Sequence, residues 1–103
     1  MPIFIKTEKF KKETLELSNN ERKSFLSMHK EWVKQISQSG FYIYSGYLIN
    51  ENKIPGGGGL LIFEASDYST AKKILENDPM IKNELVIWDL QEWISIDGIQ
   101  PKL

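Results

Sequence analysis

Two features of this chain could do chemistry: its one histidine, His29, and four consecutive glycines, Gly56 to Gly59. An imidazole exchanges protons near neutral pH, so it can serve as general acid or base. A glycine run can cradle phosphate, but only in particular frames. A P-loop needs GxxxxGK[ST] between a strand and a helix, and the dinucleotide fingerprint needs its glycines to open a helix. Here the glycines lead into Leu60-Leu61-Ile62-Phe63, and no Lys-Ser or Lys-Thr follows. Both phosphate motifs are therefore excluded. The absence of cysteine excludes a thiolate nucleophile, a disulfide framework and a cysteine-ligated metal. One histidine without clustered partners gives no zinc spacing, so no metal is expected.

The rest of the composition narrows the class. With 103 residues, 41% of them apolar, the chain is read as one small globular domain spanning 1–103. An interdomain tether at the glycines would leave too little chain on either side. Net charge is −1, and the lysines that gather at Lys9, Lys11 and Lys12 form no long basic face with aromatic platforms. No nucleic-acid partner is expected. The opening Met-Pro-Ile-Phe-Ile-Lys lacks the pattern of a signal peptide, and no apolar run reaches the ~20 residues of a membrane span. The expectation is a cytoplasmic protein with no membrane partner.

The elements that must position His29 follow from pattern. Pro2 to Thr7 reads as a strand with Ile3, Ile5 and Thr7 on one side and Phe4 on the other. The charged segment Glu8 to Leu17 reads as a loop. Ser18-Asn19-Asn20-Glu21 has capping-box spacing and predicts a helix start, with Gly40 as its left-handed stop. On a wheel of ~100° per residue, Phe25, Trp32, Val33 and Ile36 form one stripe, with Leu26 and Met28 at its margins. His29 falls inside that stripe and faces inward. Phe41 to Ile49 and Gly59 to Ala65 read as strands, joined by a turn-rich segment from Asn50 to Gly58. Ser66-Asp67 predicts a second helix cap, and Pro79 predicts that this helix stops near Asn77. Leu85 to Ile96 reads as a last strand, long enough to hold a bulge or bend.

The order β-α-β-β-α-β predicts an α+β, ferredoxin-like fold with an antiparallel sheet and both helices on one face. The strands lack the polar–apolar alternation of a sheet with one wet face. A second copy covering that face is the expectation, hence a homodimer through sheet faces. The glycines are expected in a hairpin connection. There they either form a flexible tip or let the loop fold over a pocket and offer N–H donors to a ligand.

The landmarks stand in a definite order: a histidine on the first helix, a glycine-ended turn into a strand, Tyr44-Ser45-Gly46, a glycine-rich stretch, an apolar strand, a helix opening at Ser66-Asp67, and Asp78-Pro79. In this order and spacing, residues 25–97 resemble the YCII-related (YciI-like) proteins. The resemblance implies a dimeric α+β barrel. It also implies a small enzyme with a histidine and an aspartate as catalytic pair, which fall by position on His29 and Asp78. Family members often carry Gly-Pro at the end of the second strand; here Ser45-Gly46-Tyr47 lacks the proline. The opening up to Leu17 is also longer and more charged than is usual in the family.

That pair suits proton transfer. Burial favours a neutral imidazole and a nearby carboxylate favours a charged one, so the two effects oppose. Asp78 would hold one ring nitrogen while the other meets an unidentified small molecule. Tyr44, Ser45 or Tyr47 could add a hydroxyl, with Gly46 beside them. Backbone amides of Gly57, Gly58 and Gly59 could steady an oxyanion. Trp32 and Phe63 favour a small, partly apolar or aromatic substrate. Abstraction, isomerisation or elimination by such a pair needs no cofactor. The leading expectation is therefore a cofactor-independent lyase or isomerase. The alternatives are a dimeric barrel that binds without chemistry and a cofactor-free monooxygenase. Taken alone, His29 on an apolar face is a core residue, Asp78 a helix stop, and Ser45 a local hydrogen-bonding group.

Overall fold

Ser18 opens the long helix as its spacing predicts. Its hydroxyl oxygen accepts the N–H of Glu21 at 3.1 Å, while its O–H donates to Oε1 of the same glutamate at 3.0 Å. In the computed structural model, which describes residues 1–98, this helix is the third of eight elements. They are β1 (Ile3–Phe10), α1 (Lys12–Leu15), α2 (Asn19–Gln38), β2 (Ile43–Ile49), β3 (Pro55–Glu64), α3 (Tyr68–Leu75), α4 (Pro79–Lys82) and β4 (Val86–Trp93). The strands form one antiparallel sheet in the order β2-β3-β1-β4. That order, with α2 and α3 as the two principal helices, is the expected α+β, ferredoxin-like arrangement.

Side chains alternate across the sheet, so residues two apart share a face. Phe4 on β1, Leu61 and Phe63 on β3, Ile43 on β2 and Leu90 on β4 are buried together with Ala71 and Leu75 of α3. Trp32, Val33 and Ile36 of α2 pack on this core, and Phe25 packs on a second cluster around Met80, Leu85 and Val86. The helical stripe is thus the inward one, with Leu26 and Met28 at its exposed margins. The opposite sheet face carries Ile3, Ile5, Leu60, Ile62, Ile87 and Trp93, and among the described residues no helix or strand lies over it. Ile87 on that face is 67% exposed.

Three local expectations are corrected. The segment Glu8 to Leu17 is not a loop: β1 continues to Phe10 and α1 follows. Glu8 and Lys9 pair with Gly59 and Gly58 on one side and with Trp88 and Ile87 on the other. The Lys11 N–H and the Thr14 hydroxyl both donate to the Leu85 carbonyl, tying the segment down. Charge along an element did not prevent its pairing, because tertiary partners supply the ladder.

The glycines are not a hairpin loop either. Gly56 to Gly59 lie inside β3, and the hairpin tip is Asn50 to Ile54, where the Asn50 side chain accepts the N–H groups of Asn52 and Ile54. Glycine is required in the strand for close approach. A Cβ on Gly58 would stand 2.9 Å from the Glu8 carbonyl, and one on Gly59 would stand 3.1 Å from the Gly46 carbonyl.

The last strand pairs without interruption, Val86 opposite Phe10 through Trp93 opposite Ile3. The irregularity expected there sits instead in β2, between Tyr47 and Ile49. The second helix ends at Leu75 with Glu76 as its cap, near Asn77 as Pro79 predicts, and a further single turn, α4, follows it. Asp78 caps α4 and Pro79 takes its first position, where no N–H is needed. Among the described residues, no helix is long and apolar enough to cross a membrane.

Candidate active site

Lys6 follows Phe4 by two residues on β1 and so points to the same covered face. It is fully buried. A lone ammonium there would cost several kcal/mol in lost hydration. Two carboxylates offset that cost: Lys6 Nζ donates to Oδ2 of Asp78 at 3.0 Å and to Oε1 of Glu8. Glu8 lies one further step along the same face of β1.

Asp78 is fully buried as well. Its place is set by the start of α4, whose Met80 N–H donates to Oδ1 at 3.0 Å. The same oxygen faces Nδ1 of His29 at 2.8 Å. The capping role and the site role are therefore one geometry. α2 brings His29 in from its inward stripe, with Trp32 one turn on; the two ring centroids lie 5.7 Å apart. Nε2 of His29 lies 2.8 Å from the hydroxyl oxygen of Ser45 on β2.

These contacts assign the protons. Lys6, Met80 N–H and His29 all converge on Asp78, which accepts from each as a carboxylate. Nδ1 of His29 must then carry the hydrogen it donates. In the neutral ring this leaves Nε2 as an acceptor, and the Ser45 O–H donates to it. Burial pushes the Asp78 carboxyl upward, the largest single influence on it. The His29 hydrogen bond, the charges of Lys6 and His29 and the Met80 N–H together outweigh burial and hold the group below its ordinary value. Among the described residues, no buried side-chain nitrogen or oxygen lacks a partner.

The arrangement is a line of alternating charge, Glu8–Lys6–Asp78, continued by the His29 imidazole and ending in the Ser45 hydroxyl. Such a line can take up or deliver one proton at its His29–Ser45 end. The histidine is 12% exposed at its side chain, whereas Ser45 is open to solvent. No three His, Asp or Glu side chains among the described residues stand together in a way that could hold a metal ion.

Of the residues singled out in the sequence, His29, Asp78, Ser45 and Trp32 come together. Tyr44 and Gly46 do not: as the neighbours of Ser45 they take the opposite sheet face, and Tyr44 is 62% exposed there. Phe63 belongs to the apolar core. Gly58 and Gly59 are strand residues whose amides lie in the ladder, and Gly57, at φ 73°, has Leu15 as its neighbour. Two grooves, of about 460 and about 570 Å³, open elsewhere, one beside Ile36 and Ile74 and one over the glycines of β3. Neither is lined by His29, Asp78 or Ser45. Their chemistry is largely hydrocarbon, and the hydrogen-bonded cluster, not groove size, marks the site. Sequence reasoning missed Lys6 and Glu8. The available signal was parity: two charged residues at the core-facing positions of the strand that buries Phe4.

The model of the YCII-related domain matches residues 3–94. The chain belongs to the YCII-related family. Among proteins with curated descriptions none matches this YCII-related chain. Among solved structures it is similar to 5-chloro-2-hydroxyhydroquinone dehydrochlorinase (TftG) from Burkholderia phenoliruptrix AC1100, in complex with 2,5-dihydroxybenzoquinone. Identity is 19%, the TM-score is 0.67, and 89% of this chain and 93% of that one are covered. An antibiotic biosynthesis monooxygenase is similar at 12% identity and a TM-score of 0.56, over 94% of this chain and 100% of that one. At these identities the likeness is one of fold alone, the ferredoxin-like α+β arrangement that the strand order of this chain shows.

Proposed function

We propose that this YCII-related chain is a cofactor-independent acid–base enzyme of the lyase or isomerase type, acting through His29 and Asp78. The observation that carries the reading is the imidazole held at both nitrogens, Nδ1 by a buried carboxylate and Nε2 by a solvent-facing hydroxyl. Nε2, directly or through the Ser45 hydroxyl, takes a proton from substrate carbon or oxygen. Asp78 holds the ring and stabilises the imidazolium. In an elimination, the electrons of the broken C–H or O–H bond form the new double bond and the leaving group departs from the neighbouring position with the electron pair of its own bond. In an isomerisation, the proton returns from Nε2 to another atom. A small aromatic or partly apolar substrate suits the Trp32 ring beside His29. The similarity to a dehydrochlorinase supports halogenated hydroxyaromatics as the first substrates to try.

The test is halide or product release from such a panel by the wild type, His29→Ala and Asp78→Asn. Loss of turnover by about 10²-fold or more in each variant is expected for a general base and its partner. Equal turnover in all three proteins would defeat the mechanism. One observation favours a second reading, a barrel that binds a metabolite without chemistry: Nε2 already has a partner in Ser45, and neither groove opens on His29. Recovery of a tightly bound ligand unaltered would favour that reading. Oxygen-dependent product formation would instead indicate the monooxygenase class.

The same reading includes a homodimer. The uncovered face of Ile3, Ile5, Leu60 and Ile62 is the face that a dimeric barrel closes with a second copy. Sedimentation at micromolar concentration tests it; a species of 12.0 kDa alone would exclude the dimer.

A further inference from the structure

We propose that Lys6 is a positioning residue of the site: clamped between Glu8 and Asp78, its ammonium keeps the Asp78 carboxylate ionised and aimed at Nδ1 of His29. The inference deepens the acid–base reading and rests on it for its functional meaning. It stands on four observations.

Lys6 has no exposed surface, so its charge cannot be answered by water. Its neighbours across the sheet are Leu61 on β3 and Leu90 on β4, both buried, which present hydrocarbon on either side. The ammonium is therefore confined to two acceptors, Glu8 on its own strand and Asp78 at the cap of α4. The two oxygens of Asp78 are divided between partners: Oδ2 takes Lys6, and Oδ1 takes His29 and Met80 N–H. A carboxylate held at both oxygens cannot rotate away from the imidazole.

The charges that face this point can be named element by element. β1 supplies Lys6 and Glu8, the α4 cap supplies Asp78, and α2 supplies His29; Ser45 of β2, Leu61 of β3 and Leu90 of β4 carry no charge. With His29 neutral, the cluster holds two carboxylates and one ammonium. Removing the ammonium leaves two anions in a water-poor space, and the remedy available is uptake of a proton by the Asp78–His29 pair. Removing the Glu8 charge has the opposite effect, since it leaves Lys6 to act on Asp78 alone. Two variants of one cluster should thus move Asp78 in opposite directions. A merely structural role for Lys6 makes no such demand.

The experiment is an NMR titration of the wild type, Lys6→Met and Glu8→Gln. It follows the Asp78 carboxyl carbon and the ring nitrogens of His29, which is the chain's one histidine and so needs no further assignment. In Lys6→Met the Asp78 inflection should rise by about one pH unit, the scale set by one charge at close range. The preference of His29 for its Nδ1–H form should weaken with it. In Glu8→Gln the Asp78 inflection should fall. If Lys6→Met does not fold, Glu8→Gln decides alone, because it is nearly isosteric and keeps Lys6. An Asp78 inflection that stays in place, or a fall in Lys6→Met, overturns the proposal. The readout needs no substrate, so the two readings fail separately. Shifts as expected in a protein that turns nothing over would keep Lys6 as the positioning residue and drop the enzyme.

Discussion

Phe4 and Lys6 stand two residues apart on β1, face the same way and are equally buried, yet they are held by different physics. Phe4 lies among hydrocarbon: the ring of Phe63 is 6.1 Å away, that of Tyr68 is 6.2 Å away edge-on, and Leu75 and Ala71 close over it from α3. Lys6 lies among carboxylates under α2 and α4. The apolar half is stabilised by area and fit, which no single partner controls. The polar half is stabilised by balance, so each member depends on the others being present and in the right charge state. A proton-transfer site of the kind proposed above would need the second kind of region, with the first to make it rigid.

The largest expected effect comes from breaking that balance. Asp78→Ala leaves Lys6 with one carboxylate, leaves His29 without its anchor and uncaps α4. A loss of about 3–5 kcal/mol in urea unfolding is expected, the usual range for breaking a buried ion pair. Leu75→Ala attacks the other region and should cost about 2–5 kcal/mol, by transfer and cavity terms. The two differ in their response to pH. Asp78 has a folded value below its unfolded one. Its ionised form therefore contributes stability that is fully present above the unfolded carboxylate value, ~3.9, and is lost as pH falls through the lowered folded value. Asp78→Asn should flatten the acid limb of a stability–pH curve, leaving slope from other groups. Asp67 is one of these, lowered chiefly by the Thr70 N–H it caps. Leu75→Ala should shift the whole curve down with its shape unchanged; a steeper or flatter acid limb in that variant would blur the distinction.

A smaller effect probes the strand pairing beside Glu8, at the end of the polar region away from Phe4. Gly58→Ala would press a methyl group toward the Glu8 carbonyl, where only 2.9 Å is free. Strands must shift to admit it, at about 1–3 kcal/mol by the usual range for overpacking. Smallest is Ser45→Ala. The hydroxyl faces solvent, so stability should change by no more than about 0.5 kcal/mol, while any turnover that uses Nε2 should change. If thermal unfolding of Ser45→Ala fell as far as that of Leu75→Ala, Ser45 would belong to the packed half after all.

Much of this was legible in the chain. The capping serine Ser18, the stop at Gly40 and the inward stripe with His29 rest on contacts between residues near in sequence, and they stand as read. So do the β-α-β-β-α-β order and the meeting of His29 with Asp78, the latter through a resemblance in order and spacing rather than through any local signal. Three things were settled only in three dimensions. The glycines became strand because Glu8 and Gly46 approach them too closely for a side chain, a contact between distant segments. Tyr44 and Gly46 left the site because Ser45 took the helix-facing parity of β2, which hydrophobicity alone does not assign in a strand apolar on both faces. Lys6 and Glu8 entered it because a charge can be buried where its partners arrive from elsewhere in the fold. Asp78 lies 72 residues from Lys6 along the chain. Propensity and periodicity report on neighbours in sequence; charge balance at that separation exists only once the sheet and α4 have come together.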